Sequence, residues 1–144
     1  MQVKDLMSTH VVSVAPEETV QVAARLLSRH NVGALPVCSP DGKLRGMITD
    51  RDIVLRCVAA QEDPAKTLVR NLMTSRVVSV APTDDANTAT ALMAREQVRR
   101  LPVTEQGKVV GMLCLSDVAV RQDFSTEAAE CLSSICSNIA HRES

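Results

Sequence analysis

Gly46-Met47-Ile48-Thr49-Asp50-Arg51-Asp52 returns later in the chain as Gly111-Met112-Leu113-Cys114-Leu115-Ser116-Asp117. Each copy follows a short apolar run and opens a segment of helical periodicity, so each reads as a strand turning into a helix. The first copy puts a hydroxyl, Thr49, and a carboxylate, Asp52, three residues apart at the start of that helix. One reading is structural: Thr49 or Asp50 caps the helix, and Asp52 sits favourably at its positive end. The other is a binding site, in which backbone N–H groups and the hydroxyl meet a phosphate and the carboxylate meets ribose hydroxyls. A single copy is explained by capping alone; a repeated one favours binding.

Working outward, the rest of the chain is duplicated too. Val11-Val12-Ser13-Val14-Ala15-Pro16 recurs unchanged as Val77-Val78-Ser79-Val80-Ala81-Pro82, and at the same spacing Leu6-Met7 matches Leu72-Met73 and Leu35-Pro36-Val37 matches Leu101-Pro102-Val103. A one-residue deletion in the following hairpin brings Gly42-Lys43 onto Gly107-Lys108 and Asp52 onto Asp117. Such a repeat fixes the architecture before any local assignment is made.

Each half reads β-α-β-β-α. A short helical turn, Val3 to Met7 or Val69 to Met73, leads into a Val-rich strand, Val11–Ala15 or Val77–Ala81, ended by Pro16 or Pro82. Val20, Ala23, Ala24 and Leu27 then fall on one helical face, repeated more weakly by Ala86, Ala89 and Met93, with Thr19 and Asp85 as N-caps. Two strands follow, Ala34–Cys38 and Lys43–Ile48, then Arg100–Thr104 and Lys108–Leu113, joined through turn-forming residues. In the closing helices Ile53, Val54, Cys57 and Val58, then Val118 and Val120, supply the apolar face. The expected class is α+β, two repeats packed sheet to sheet as a pseudo-twofold pair, plus a C-terminal helix. The divisions are residues 1–60, a linker at 61–68, a second repeat at 69–122 and a helical tail at 123–144. The tail has Ser125 as cap and a stripe of Ala128, Ala129, Leu132, Ile135 and Ile139, an amphipathic helix that docks on the body or on a partner chain.

Composition narrows the function. A chain of 144 residues is long enough for a self-sufficient core. A net charge of −1 argues against a general nucleic-acid binder, and one Phe with no Tyr or Trp removes the stacking platforms of single-strand binders. No apolar run reaches membrane-spanning length and the first residues do not form a signal peptide, so a cytoplasmic protein is expected. Cys38, Cys57, Cys114, Cys131 and Cys136 are scattered without a C-x-x-C pair, which weakens zinc and thioredoxin-like readings and favours reduced thiols.

With the repeats laid out, residues 1–122 resemble a tandem pair of CBS domains, the cystathionine-β-synthase type or Bateman module, of the stand-alone bacterial type. Four features carry the resemblance, in order and twice. They are Asp5-Leu6-Met7 and Asn71-Leu72-Met73, the Val-x-Val-x-Pro stretches, Gly33-Ala34-Leu35-Pro36-Val37 with Arg99-Arg100-Leu101-Pro102-Val103, and the closing heptapeptides. The tail is not part of the family pattern.

The resemblance implies a sensor for adenosyl compounds, AMP, ADP, ATP or S-adenosylmethionine, held in two clefts between the repeats, with no resident cofactor. It places adenine against the first and second strands, which brings in Val11, Val77, Gly33, Ala34, Pro36 and Pro102. Ribose meets Asp52 or Asp117, and phosphate meets the neighbouring hydroxyl and basic side chains. Thr49 is present in the first copy; Cys114 stands where the family usually has Thr or Ser, and Cys is a poor donor, with Ser116 as a substitute. Arg99 and Arg100 point oppositely if they lie in a strand, so each is either a residue of one cleft or a solvated surface arginine.

The expected function is therefore regulatory and non-catalytic, with a homodimer and an effector protein acting in trans, and with neither nucleic acid nor membrane as partner. An enzyme would need a nucleophile–base constellation that the dispersed His10, His30 and His141 do not offer. A cysteine-based metal or redox scaffold, using Cys131, Cys136 and His141, or a disulfide from Cys38 to the tail, is the alternative reading; residues five apart on a helix share a face poorly.

Overall fold

The structure is a computed structural model and describes residues 1–119, 129–132, 134 and 135. Element order is a 3-10 turn at Val3–Asp5, α1 (Val20–His30), β1 (Ala34–Cys38), β2 (Leu44–Thr49) and α2 (Asp50–Ile53), which runs on as a π turn at Val54–Val58. Then come α3 (Val69–Leu72), α4 (Ala86–Glu96), β3 (Arg100–Glu105), β4 (Lys108–Cys114) and α5 (Leu115–Ala119). The strands form two two-stranded sheets, β1 with β2 and β3 with β4. This is the α+β class the repeat pattern implies.

Thr19 and Asp85 cap α1 and α4 as expected, accepting from the N–H groups of Val22 and Asn87. Both helices end on a residue in the left-handed conformation, Asn31 and Gln97, which closes their last turns. Their buried faces are Val20, Ala23 and Leu27 in α1 and Ala86, Ala89, Thr90 and Met93 in α4.

The Val-rich stretches are not regular strands. Each makes a single parallel bridge, Val14 to Val37 and Val80 to Val103. Val14 donates to the Pro36 carbonyl and accepts from the Cys38 N–H; Val80 does the same with Pro102 and Thr104. Extending the ladder one step either way would require an N–H from Pro36 or Pro16, or from Pro102 or Pro82, and proline has none. The prolines thus confine the pairing to one residue.

The chain folds as two compact units that do not follow the repeats. One comprises residues 1–11, 78–106 and 110–144; the other comprises 12–77 with 107–109. The N-terminal lead-in therefore packs with the second half. In the first of these units the Val3 and Lys4 N–H groups donate to the carbonyls of Asp84 and Pro82, Ala86 donates to Met1, and Ser8 and Met112 exchange both backbone bonds. In the second, Val69 and Arg70 donate to Glu18 and Pro16, Val20 donates to Thr67, and Met47 and Thr74 exchange both. Each lead-in so satisfies the first free N–H of a long helix and adds a bridge to the outer edge of β2 or β4.

Gly46 and Gly111 permit this approach. A Cβ on Gly46 would lie 2.6 Å from the Thr74 carbonyl oxygen and 2.9 Å from Met73 Sδ; on Gly111 it would lie 2.9 Å from the Ser8 carbonyl oxygen and 2.7 Å from Met7 Sδ. The Leu-Met and Gly-Met pairs of the sequence are two sides of one contact. Val3 and Leu6 enter one core; Val69 and Leu72 enter the other. Of the tail, Cys131 and Ile135 are buried in the same core as Val3, so this described part of it docks within its own chain. Ser125, Ala128, Cys136, Ile139 and His141 lie outside the described residues.

Gly46→Ala and Gly111→Ala are each expected to cost about 1–3 kcal/mol through overpacking against fixed backbone. Urea unfolding monitored by circular dichroism checks this, and midpoints equal to wild type would contradict the contact.

Candidate functional site

The first heptapeptide is built as a reciprocal cap. Thr49 Oγ1 accepts from the Asp52 N–H at 3.0 Å, and Asp52 Oδ2 accepts from the Thr49 N–H at 3.0 Å. Among the described residues, capping does not consume either group: the Thr49 O–H is left to donate, and Asp52 Oδ1 faces Arg56 Nε at 4.0 Å. Ala34 is the β-partner of Thr49, Pro36 that of Met47, and the Gly33 carbonyl accepts from the Asp50 N–H at 3.0 Å. Gly33, Ala34, Thr49 and Asp52 are thus drawn together at the end of the hairpin, while Pro36 is buried within it. Val77 belongs to this compact unit and Val11 to the other, both half-buried.

In the second copy the Asp117 carboxylate accepts from the Cys114 N–H at 3.3 Å. Beside it lies a cavity of about 560 Å³ lined by Arg99, Arg100, Cys114, Leu115, Ser116, Ala119, Ala129 and Leu132. It brings together four residues singled out from sequence, the two arginines, Cys114 and Ser116; Asp117 is not among its lining residues, and Pro102 is buried in β3. Arg99 and Arg100 do not divide between two faces. β3 begins at Arg100, and the Arg99 carbonyl accepts from the Leu115 N–H at 2.8 Å, so strand alternation does not govern Arg99. Leu115, Ala119, Ala129 and Leu132 are lining residues that sequence reasoning missed. The apolar stripe of the tail was the available signal, but it identifies a face without saying what the face meets.

Cys38, Cys57, Cys114 and Cys131 are free thiols. The alternative disulfide from Cys38 to the tail is therefore not formed by Cys131, which is buried instead with Val3 and Leu6 in its own core. Burial pushes the Cys114 thiol above its ordinary value, and the Asp117 carboxylate adds to this; the Arg100 guanidinium pulls the other way. Burial raises Cys38 and Cys131 as well. Raised in this way, the Cys114 thiol in the cavity lining keeps its proton at neutral pH.

Residues 3–58 and 69–122 each match the CBS domain. The chain belongs to the CBS domain family. It is 45% identical over 140 residues to the CBS domain-containing protein YhcV of Bacillus subtilis, covering 97% of this chain and 96% of that one. It is 35% identical over 116 residues to hypoxic response protein 1 of Mycobacterium tuberculosis, covering 81% of each. A crystal structure of Hypoxic Response Protein I with two coordinated zinc ions aligns at a TM-score of 0.79 and 34% identity, over 84% of this chain and 98% of that chain. A CBS domain pair in complex with 5′-methylthioadenosine and S-adenosyl-L-methionine aligns at 0.75 and 26%, over 83% of this chain and 94% of that chain. The protein is a tandem CBS pair. Among the described residues no group of three or more His, Cys, Asp or Glu is arranged to hold a metal ion, and no helix is long and apolar enough to cross a membrane.

The raised thiols set an alkaline limit. A thiol whose value is higher folded than unfolded contributes stability that is intact below the ordinary 9.0 and is lost as pH rises through the folded value. Cys114→Ser is expected to flatten the loss of thermal stability above that pH, measured by melting across an alkaline series. A melting profile that stays as steep as wild type would contradict it.

Proposed function

We propose that this CBS pair is a non-catalytic regulatory module that binds an adenosyl ligand and relays its occupancy in trans. The observation that carries the reading is the cavity beside the second heptapeptide, where Arg99, Arg100 and Ser116 line one concave surface with four apolar residues. Guanidinium groups hold phosphate oxygens through paired, charge-assisted hydrogen bonds. The apolar side chains offer area for a purine face. A structural neighbour's binding of 5′-methylthioadenosine and S-adenosylmethionine supports the adenosyl class. Within that class, two cations in one cavity disfavour the sulfonium of S-adenosylmethionine and favour AMP, ADP or ATP. In the other unit, Thr49 and Asp52 supply a hydroxyl donor and a carboxylate acceptor for phosphate and ribose, with Gly33 and Ala34 leaving space beside them. In the cytoplasm, where such nucleotides are abundant, the module would report to a separate effector protein.

Calorimetric titration with AMP, ATP and S-adenosylmethionine tests the reading. AMP and ATP are expected to bind in preference to S-adenosylmethionine. Arg99→Gln with Arg100→Gln should weaken one phase at least tenfold, because each charged hydrogen bond contributes roughly 1.5–3 kcal/mol and about 1.4 kcal/mol is tenfold. Asp52→Ala should remove the other phase. Neither heat nor thermal stabilisation with any adenosyl compound would leave the chain better described as a scaffold.

The module is proposed to act as a homodimer, since closed twofold pairs are the commonest assemblies. Of the apolar faces expected to drive this, Val118 is fully buried in its own core and Val120 lies outside the described residues. The first closing helix keeps Val54, Leu55 and Val58 at 54%, 50% and 66% exposure, a contiguous apolar turn suited to a second copy. Light scattering at tens of micromolar, on the order of a modest dimer's dissociation constant, should give a dimer for wild type and a monomer for Leu55→Asp with Val58→Asp. A wild-type monomer would overturn the assignment.

A further inference from the structure

We infer that the C-terminal tail, which lies outside the repeated CBS pattern, is a wall of the ligand cavity, and that ligand binding and tail docking reinforce one another. The inference rests on the adenosyl reading of that cavity and specifies its regulation. Two interleaved sets of tail residues divide the work. Cys131 and Ile135, four residues apart, are 3% and 4% exposed and sit in the core that holds Val3, Leu6 and Val118. They fix the segment in place. Ala129 and Leu132 line the cavity together with Arg99, Arg100 and Ser116.

Leu132 is 41% exposed although the residue before it is buried. A large apolar side chain left accessible at the rim of a cavity that also holds two arginines gains most when an amphipathic ligand covers it. A ligand with an anionic end and a flat apolar end matches this lining: the anion faces the guanidinium groups, and the apolar end lies between Leu115, Ala119 and Leu132. Affinity for such a ligand is then set partly by the tail. By linkage, the ligand must favour the docked tail by the same factor as the docked tail favours the ligand. The tail is thus the element of this chain whose position can report occupancy to a partner, through a segment that differs from the repeats.

Cys131 provides the reporter, because it is only 3% exposed with the tail docked. Two measurements are made on the full chain with AMP and ATP as probes: calorimetric affinity, and the rate of Cys131 alkylation by iodoacetamide, read by peptide mass spectrometry. Leu132→Ala is expected to weaken the Arg99/Arg100-dependent phase roughly three- to tenfold, from lost apolar burial. Leu132→Asp, which places a carboxylate near the phosphate, should abolish that phase. Saturating nucleotide should slow Cys131 alkylation in wild type and not in Leu132→Asp. Val32→Ala, at an exposed valine outside the cavity, should leave that phase unchanged. If wild type binds nucleotide, Arg99→Gln with Arg100→Gln weakens it, and both Leu132 variants bind as wild type, the tail is not a wall and the inference falls while the adenosyl reading stands. Wild type that binds neither nucleotide overturns both. Nucleotide binding that leaves Cys131 alkylation unchanged overturns the coupling.

Discussion

Two glycines hold the architecture together. Gly46 and Gly111 let a neighbouring backbone run against β2 and β4 at a separation that any side chain would prevent. Through that approach each lead-in forms its paired backbone bonds, to Met47 or to Met112, and delivers its apolar residues into a core. It also supplies carbonyls to the first N–H groups of α1 and α4, which would otherwise lack partners. Strand edge, helix start and core are therefore satisfied by one short segment in each unit. The sheets have only two strands apiece, so a segment that covers an edge contributes more than it would in a wider sheet.

Proline does the complementary work. Pro16 and Pro36, and likewise Pro82 and Pro102, remove the N–H groups that would turn Val11–Ala15 and Val77–Ala81 into full strands. What remains is extended chain pinned by a single bridge. The same economy governs the heptapeptides. Capping and binding, read as rivals in the sequence, are compatible in the structure: the reciprocal cap orients Thr49 and Asp52 and leaves one polar function of each unspent.

The second heptapeptide shows how a departure from the repeat is absorbed. Cys114 replaces a hydroxyl by a protonated thiol, yet Ser116 and both arginines converge on the same cavity. In the proposed site, charge on the side chains at the start of β3 would take over the part given to a single hydroxyl at the helix start in the other unit. The two copies thus keep a common backbone while differing in the chemistry they present.

What the sequence determined by itself is local. The duplication, the helical faces, the caps at Thr19 and Asp85, and the strand-to-helix turn of each heptapeptide all depend on residues a few positions apart, and composition and spacing report them directly. The family was legible for the same reason, since its motifs are short and occur in order. The tertiary structure alone decided the partners. Leu6-Met7 and Leu72-Met73 are interchangeable as patterns, and Gly46 and Gly111 are equally open to either. Nothing in the spacing tells which methionine meets which glycine, and only the path of the chain assigns Met7 to Gly111 and Met73 to Gly46. The tail obeys the same limit: periodicity announces a buried stripe, but whether a side chain meets the core, as Ile135 does, or a cavity, as Leu132 does, depends on surfaces contributed by residues far away in sequence.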